Sequence, residues 1–397
     1  MAGNILTQVV AIVGMNLRNM SQRLASSVVA LVGIAGVVTV LIGVLSISEG
    51  FRAVLDLSGA EDVAIVLRNG SNDEMSSGLA QPQTRIIADA PGVARDAQGP
   101  IASPELYVVV DVPLRKTGTP ANVPLRGVGP QAQKLRQQFR IVEGRAFTPG
   151  TFEIIVGRGA AAQFAGLSVG RHVRWGTTDW LVAGIFEDRG SVAESEIWTD
   201  ATVLQGAYNR GNSYQSTRVK LDSAGALREF KDALTSDPRL NVKVFTEKQY
   251  YEEQSRILIT LVSTIGTTIA VLMGLGAVFA ALNTMYSAVS SRTREIAILR
   301  ALGFGSAPVV SSVLAEALLI GLVGGVAGML ISYFSFNGLR ASTMNFASFS
   351  QITFAFTVTP RLLVQGLMYA LVLGFIGGLL PGLRAARLPI TTGLREL

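Results

Sequence analysis

Four long apolar stretches, almost empty of charge, constrain this chain more than any other feature of it. Ala25 to Ile47 runs for 23 residues without a charge, enough as a helix to cross about 30 Å of hydrocarbon. Ile257 to Val289 runs for 33. That is about 50 Å of helix, so part of it must tilt or project beyond a bilayer. Ala307 to Asn337 is the third stretch, with Glu316 its only charge, and Leu362 to Leu383 is the fourth. A soluble core has no need of such blocks. The expected spans are 25–48, 257–289, 307–337 and 362–383.

Charge is divided along the same lines. Between Glu49 and Arg256 there are 24 Lys+Arg and 25 Asp+Glu, whereas the rest of the chain carries 10 against 3. The net charge of +6 therefore does not describe a basic domain for gripping nucleic acid, and no nucleic-acid partner is expected. The cations sit at the ends of apolar helices, where they set topology. Arg18 and Arg23 precede the first span, Arg292, Arg294 and Arg300 lie between the second and third, and Arg384, Arg387 and Arg395 follow the fourth. The other short loop, 338–361, holds only Arg340 and Arg361. Both termini and residues 290–306 are thus expected to be cytoplasmic, with 49–256 and 338–361 outside.

Residues 1–24 carry Ile5, Val9, Ile12, Val13, Leu17, Met20 and Leu24 at helical spacing, which predicts an amphipathic helix on the membrane surface. A secretory signal would place its cations before the apolar run, and here they follow it. The tail 384–397 completes the cytoplasmic side.

The pattern of residues 49–256 predicts an α+β domain split by a β-rich insertion. Val63–Arg68 and Leu106–Asp111 read as strands and Gln81–Ala90 as a helix. Ser216–Leu221, Ala224–Ser236 and Val242–Thr246 read as strand, helix and strand. The Gly-rich section 112–215 lies between them, with alternating runs at Val169–Val173 and Trp180–Phe186. Ser48–Leu57 and Glu247–Arg256 have no proline, so both flanking helices are expected to extend outward as a stalk.

Enzymatic chemistry has little to build on. The chain has no cysteine and a single histidine, His172, expected to be structural within a strand. Glu194/Glu196 and Glu252/Glu253 are the paired carboxylates, and both pairs read as solvated. No G-x-x-x-x-G-K-[ST] phosphate loop and no hydrolase motif occurs. The expectation is no catalytic residue, no metal ligand and no cofactor in this chain.

Two patterns stand out in the spans and between them. Ser290–Gly303 opens with Arg292, Thr293, Arg294 and Glu295, continues with Ile296, Leu299 and Leu302 at helical spacing beside Arg300, and ends on Gly303 as a C-cap. A short amphipathic helix anchored to lipid headgroups accounts for the periodicity as well as a docking element does. Gly321, Gly324, Gly325 and Gly328 in the third span, with Gly374, Gly378 and Gly382 in the fourth, let helices approach closely, either within one subunit or between two. Glu316 stands two to three turns into its span, where water or an arginine is expected to satisfy it.

Asn283–Gly303, the closing Gly377-Gly-Leu-Leu-Pro-Gly-Leu-Arg-Ala-Ala-Arg387 and the opening Asn16-Leu-Arg-Asn resemble the signatures of the MacB/FtsX/LolC-type permeases. Glu143–Phe147, Val156-Gly157 and Val169-Gly-Arg171 resemble their periplasmic core. The resemblance implies a multi-pass subunit of the bacterial inner membrane, dimeric with a second copy or a homologous permease. It implies a pair of cytoplasmic ABC ATPases as separate chains, which supply the ATP and Mg chemistry. It makes 290–303 a coupling helix, with Arg292, Thr293, Arg294, Glu295, Ile296, Leu299 and Arg300 at the ATPase groove. The implied role is to convert ATP hydrolysis into motion of the outer domain, for export or lipoprotein extraction with a periplasmic adaptor. The alternative is an FtsX-like regulator or scaffold that controls a partner such as a cell-wall hydrolase.

Overall fold

The computed structural model describes residues 24–136, 138–345 and 350–389. The helix expected over 1–24 and most of the tail lie outside these residues. The chain divides into two compact units. One comprises residues up to Gly50, Thr260–Leu339 and those from Phe356 onward; the other comprises Phe51–Ile259 and Arg340–Ala355.

Five helices belong wholly or largely to the first unit, numbered here in chain order: α1 (Leu24–Ser58), α2 (Glu247–Ser290), α3 (Thr293–Ala301), α4 (Ser306–Phe336) and α5 (Pro360–Arg387). All but α3 are long and apolar enough to cross a membrane. α1 and α2 each continue without a break past the apolar run, as the absence of proline predicts.

α4 packs between α1 and α5, and its glycines make this possible. A Cβ on Gly328 would fall 2.7 Å from the Ala35 carbonyl oxygen of α1, and one on Gly324 3.1 Å from that of Leu31. On the other side, a Cβ on Gly321 would lie 2.9 Å from the Ala370 oxygen of α5, and one on Gly325 2.7 Å from the Ala370 Cβ. The contact is reciprocal, since Gly374 and Gly378 meet Ala317 in the same way. All six glycines therefore pack this chain's own helices. The Thr39 and Ser332 hydroxyls donate within their own helices, to the Ala35 oxygen at 2.7 Å and the Gly328 oxygen at 2.8 Å, and each also lies within 3.4 Å of a carbonyl of the other helix.

The second unit is built on one ten-stranded sheet, numbered in chain order: β1 (Val63–Arg68), β2 (Ala102–Pro113), β3 (Pro120–Val128), β4 (Arg140–Gly144), β5 (Glu153–Gly157), β6 (His172–Trp175), β7 (Thr178–Glu187), β8 (Ile197–Asp200), β9 (Ser216–Lys220) and β10 (Val242–Thr246). The spatial order is β10-β1-β9-β2-β3-β8-β5-β7-β4, with β6 paired to β7. The predicted α+β frame and its β-rich insertion are both present. They are not separate bodies, however. β2 is 12 residues long. Its first part pairs with β9 (Ser216 opposite Glu105) and its second with β3 (Tyr107 opposite Arg126). One strand thereby joins the two halves into a single sheet. Leu106, Val108 and Val110 point from β2 into the insertion's core with Val123, Leu125 and Trp180. Val66, Val219, Phe230, Leu234 and Val244 form the core of the other half.

Three expectations need correction. Glu196 is not solvated: it is buried and ion-paired to Arg126 at 2.8 Å. Its neighbour Glu194 uses its carboxylate to cap a turn, accepting from the backbone N–H groups of Asp188 (2.9 Å) and Gly190 (2.6 Å). Only Glu252 and Glu253 of the paired carboxylates face solvent. Val169 and Gly170 form a turn, with Gly170 at φ +79°, and the strand begins at His172, which is exposed. Finally, the 338–361 segment is no plain loop. Arg340–Asn345 and Ser350–Ala355 pair as an antiparallel hairpin belonging to the second unit. There the Thr353 N–H donates to the Ser195 hydroxyl at 3.0 Å, and Phe354 packs edge-on to Phe51 at 5.7 Å.

The glycine packing gives a direct expectation. Gly328→Leu places a side chain against the α1 backbone and should destabilise the solubilised chain by roughly 1–3 kcal/mol. Gly276→Leu on α2, where a Cβ meets nothing within 4 Å, should be tolerated. Thermal denaturation followed by size-exclusion chromatography in detergent separates the two.

Candidate functional site

The segment joining α2 to α4 folds as the short helix α3, held at both ends. A turn at Ser291–Arg292 reverses the chain after α2, and Arg292 opens α3 as its N-cap. The Arg292 side chain does not face outward. It runs inward, and its Nη1 donates to the Glu316 Oε2 of α4 at 3.0 Å, with both side chains under 10% exposed. The arginine expected to satisfy Glu316 is therefore the first cation of the loop itself. At the far end, Arg300 Nη1 donates to the Leu388 carbonyl oxygen just beyond α5 at 2.5 Å. Glu295 in the first turn and Arg300 in the last also complement the helix dipole. Gly303 at φ +94°, the residue just after the C-cap Leu302, then turns the chain toward α4, one position beyond the cap expected from the sequence.

This clamp divides the predicted coupling residues into two sets. Ile296 and Ala297 are buried against the helices, Leu299 is half-buried, and Arg292 and Arg300 are the tethers. Arg292, Ile296 and Leu299, with Val289 and Val313, line a small cleft that Glu295 borders. Thr293 is half-exposed, while Arg294 and Glu295 face out. Two large apolar residues join them: Ile298 is 43% exposed, and Leu302, against the expectation from spacing, 73%. Spacing alone groups Leu302 with Ile296 and Leu299. The helix ends at Ala301, however, and the turn at Gly303 carries Leu302 off the packed stripe. The legible signal was Ile298, which falls one turn after Arg294 and so shares its face. The outward surface is thus two charges and two large apolar side chains on a helix fixed at both ends. Protein interfaces share this mixture of apolar anchors and charged rim, and so do helices seated at lipid headgroups.

The Arg292–Glu316 pair is what fixes this helix on α4, so breaking it by one partner should be costly. Glu316→Ala leaves a buried guanidinium without its carboxylate and should lower stability by roughly 3–5 kcal/mol. The swapped pair Arg292→Glu with Glu316→Arg should recover part of that loss. Thermal melting of the three proteins in the same detergent provides the check, and no recovery in the swap would argue against a specific pair.

Comparison with known proteins identifies the family of the chain. Residues 27–237 match the model of the MacB-like periplasmic core domain, and residues 267–390 that of the FtsX-like permease C-terminal domain. The macrolide export ATP-binding/permease protein MacB of Hahella chejuensis is 26% identical over 404 residues, covering 95% of this chain and 59% of that protein. Its counterpart in Bordetella avium is 25% identical, covering 92% of this chain and 56% of that protein. The chain thus spans somewhat over half the length of these curated relatives. Among solved structures, the periplasmic region of MacB from Actinobacillus actinomycetemcomitans matches at a TM-score of 0.38 and 12% identity, over 50% of this chain and 94% of that one. With a family model matching more than half of its length, and a second covering α3 to α5, the chain belongs to the MacB/FtsX-type family of permeases.

Proposed function

We propose that this chain is the membrane subunit of an ABC-type complex in which the outward face of α3 receives a nucleotide-binding partner. Arg294, Glu295, Ile298 and Leu302 make the contact, and ATP hydrolysis in that partner displaces α3. The observation that carries the reading is the combination of an exposed apolar pair with a helix clamped at both ends, since a tethered helix passes a push on to its tethers. Arg292 would pass it to α4 through Glu316, and Arg300 to the end of α5 through Leu388. α1 and α2, each unbroken for 35 and 44 residues, then carry displacement along their axes to the outer unit. A continuous helix transmits such motion where a flexible linker would absorb it.

The orientation belongs to the same proposal. Arginines flank the α3 side of the spans, which supports reading α3 as cytoplasmic at a bacterial inner membrane and Phe51–Ile259 as outside it. Family membership supports the reading, and so do relatives whose names pair ATP binding with permease activity. The near absence of charge in the spans favours motion over a polar conduit through them.

The test separates the two halves of the docking face. Arg294→Ala with Glu295→Ala removes the charged rim, and Ile298→Ser with Leu302→Ser removes the apolar anchors. A side chain desolvated at such an interface contributes about 1–3 kcal/mol to binding. Either double variant should therefore weaken co-purification of the ATPase roughly tenfold or more, with expression unchanged. Retained association in both variants would return α3 to the role of a lipid-headgroup anchor.

A further inference from the structure

The second unit contains a cluster of seven buried charges that no motif announces. Arg126 of β3 donates to three carboxylates: Glu74 (2.7 and 2.9 Å), Glu196 (2.8 Å twice) and Glu105 (2.8 Å). Arg218 of β9 is ion-paired to Glu105 and lies 3.4 Å from Glu247, the first residue of α2. Arg136 is ion-paired to Glu247 as well. Three guanidiniums thus face four carboxylates, and all seven side chains are under 10% exposed. The surplus acceptors are served by neutral donors. The Ser216 hydroxyl gives its hydrogen to Glu74 at 2.6 Å, and the Trp198 indole N–H to Glu196 at 2.8 Å.

Sheet register explains why these residues meet. Arg126 stands opposite Tyr107, Arg218 opposite Ser103 and Ser216 opposite Glu105. Facing pairs point to the same side of a sheet, so Glu105, Arg126, Arg218 and Ser216 share one face, opposite the apolar core of Leu106 and Val108. Burial pushes the Glu74 and Glu196 carboxyls up, but the Arg126 and Arg218 charges outweigh it and hold both below the usual carboxylate range.

The cluster lies where other segments converge within this unit. The turn Val192–Ser195 precedes Glu196; its Val192 N–H donates to the Ser58 hydroxyl at the end of α1 at 2.7 Å, and its Ser195 hydroxyl accepts from Thr353 of the hairpin. Gly59, just after α1, sits so close to Lys248 of α2 that a Cβ would fall 2.5 Å from the Lys248 Cα. The roots of α1 and α2 and the hairpin therefore all meet this one corner of the sheet.

We propose that the Arg126-centred cluster is a rigid junction that orients the root of α2, with Glu247 as the positioning residue gripped by Arg136 and Arg218. An ion pair in an apolar setting is directional: it has one geometry in which every charge is compensated, whereas apolar contacts tolerate sliding. Strands β2, β3 and β9 are thereby fixed to the first turn of α2, and the sheet turns with the helix. The use of this junction in transmitting ATP-driven motion rests on the proposed function; the junction itself does not.

The experiment exploits the lack of cysteine in the chain. Spin labels on Asp111→Cys in β2 and Glu253→Cys on α2, both exposed positions, report the angle of the helix root to the sheet in full-length protein in nanodiscs. The variant is Arg136→Met with Glu247→Met, which removes one charge of each sign and leaves the cluster's balance unchanged. Apolar replacement of a buried pair is often neutral for stability. The fluorescence melt should therefore be preserved, and all three tryptophans, Trp175, Trp180 and Trp198, lie in this unit. The label distance should broaden by roughly twofold as alternative orientations become accessible. Arg136→Lys, which keeps the charge but loses the fork, should broaden it less. A distribution as narrow as the parent's in either folded variant overturns the junction. Broadening with ATPase coupling intact supports the junction and removes it from the transmission pathway.

Discussion

Arg126 holds a full charge where water does not reach it, and the outer unit is arranged around that fact. Taking a guanidinium out of water costs several kcal/mol, and only closely placed carboxylates return it. Glu74 comes from the loop after β1, Glu105 from β2 and Glu196 from the edge of β8. Each of these segments is held where Arg126 requires it. The apolar clusters on either side supply most of the driving force for folding. The two halves of the sheet meet along β2, and the charges lie on its polar face.

The membrane unit solves a different problem by different means. Lipid offers no hydrophobic drive between helices, so packing must come from close approach of backbones. Gly321, Gly324, Gly325 and Gly328 place α4 against both α1 and α5, and a few buried polar contacts join the helices. The Arg292–Glu316 pair is one of them, and it lies where α3 meets α4. Both units thus use a buried arginine–carboxylate contact to orient one element on another, while small or apolar residues provide the contact area.

Much of this was legible in the sequence. Charge-free runs of the right length give spans, and missing prolines give the continuations of α1 and α2. Gly303 and the single ionisable residue Glu316 each announced a local requirement that the fold meets. The failures share a cause. Glu196, Arg126 and Arg218 each stand singly between uncharged neighbours, as charges on a solvated strand face do, and only strand order reveals that this face is covered. The hairpin at Arg340–Ala355 was hidden because pairing depends on a partner strand that short-range patterns do not identify. Leu302 escapes the periodic stripe because it stands one residue beyond the end of its helix. Long-range contacts decide all three cases.

The central claim is that the exposed face of α3 touches an ATP-binding protein in the cytoplasm. A photo-crosslinking amino acid at Ile298, 43% exposed on that face, tests it most directly in intact cells. The account predicts a single major adduct with a chain that also labels with a photoreactive ATP analogue, and no such adduct from Phe279, 71% exposed in the span of α2. Adducts with lipid alone at Ile298, or with a protein outside the cytoplasm, would contradict both the docking face and the orientation.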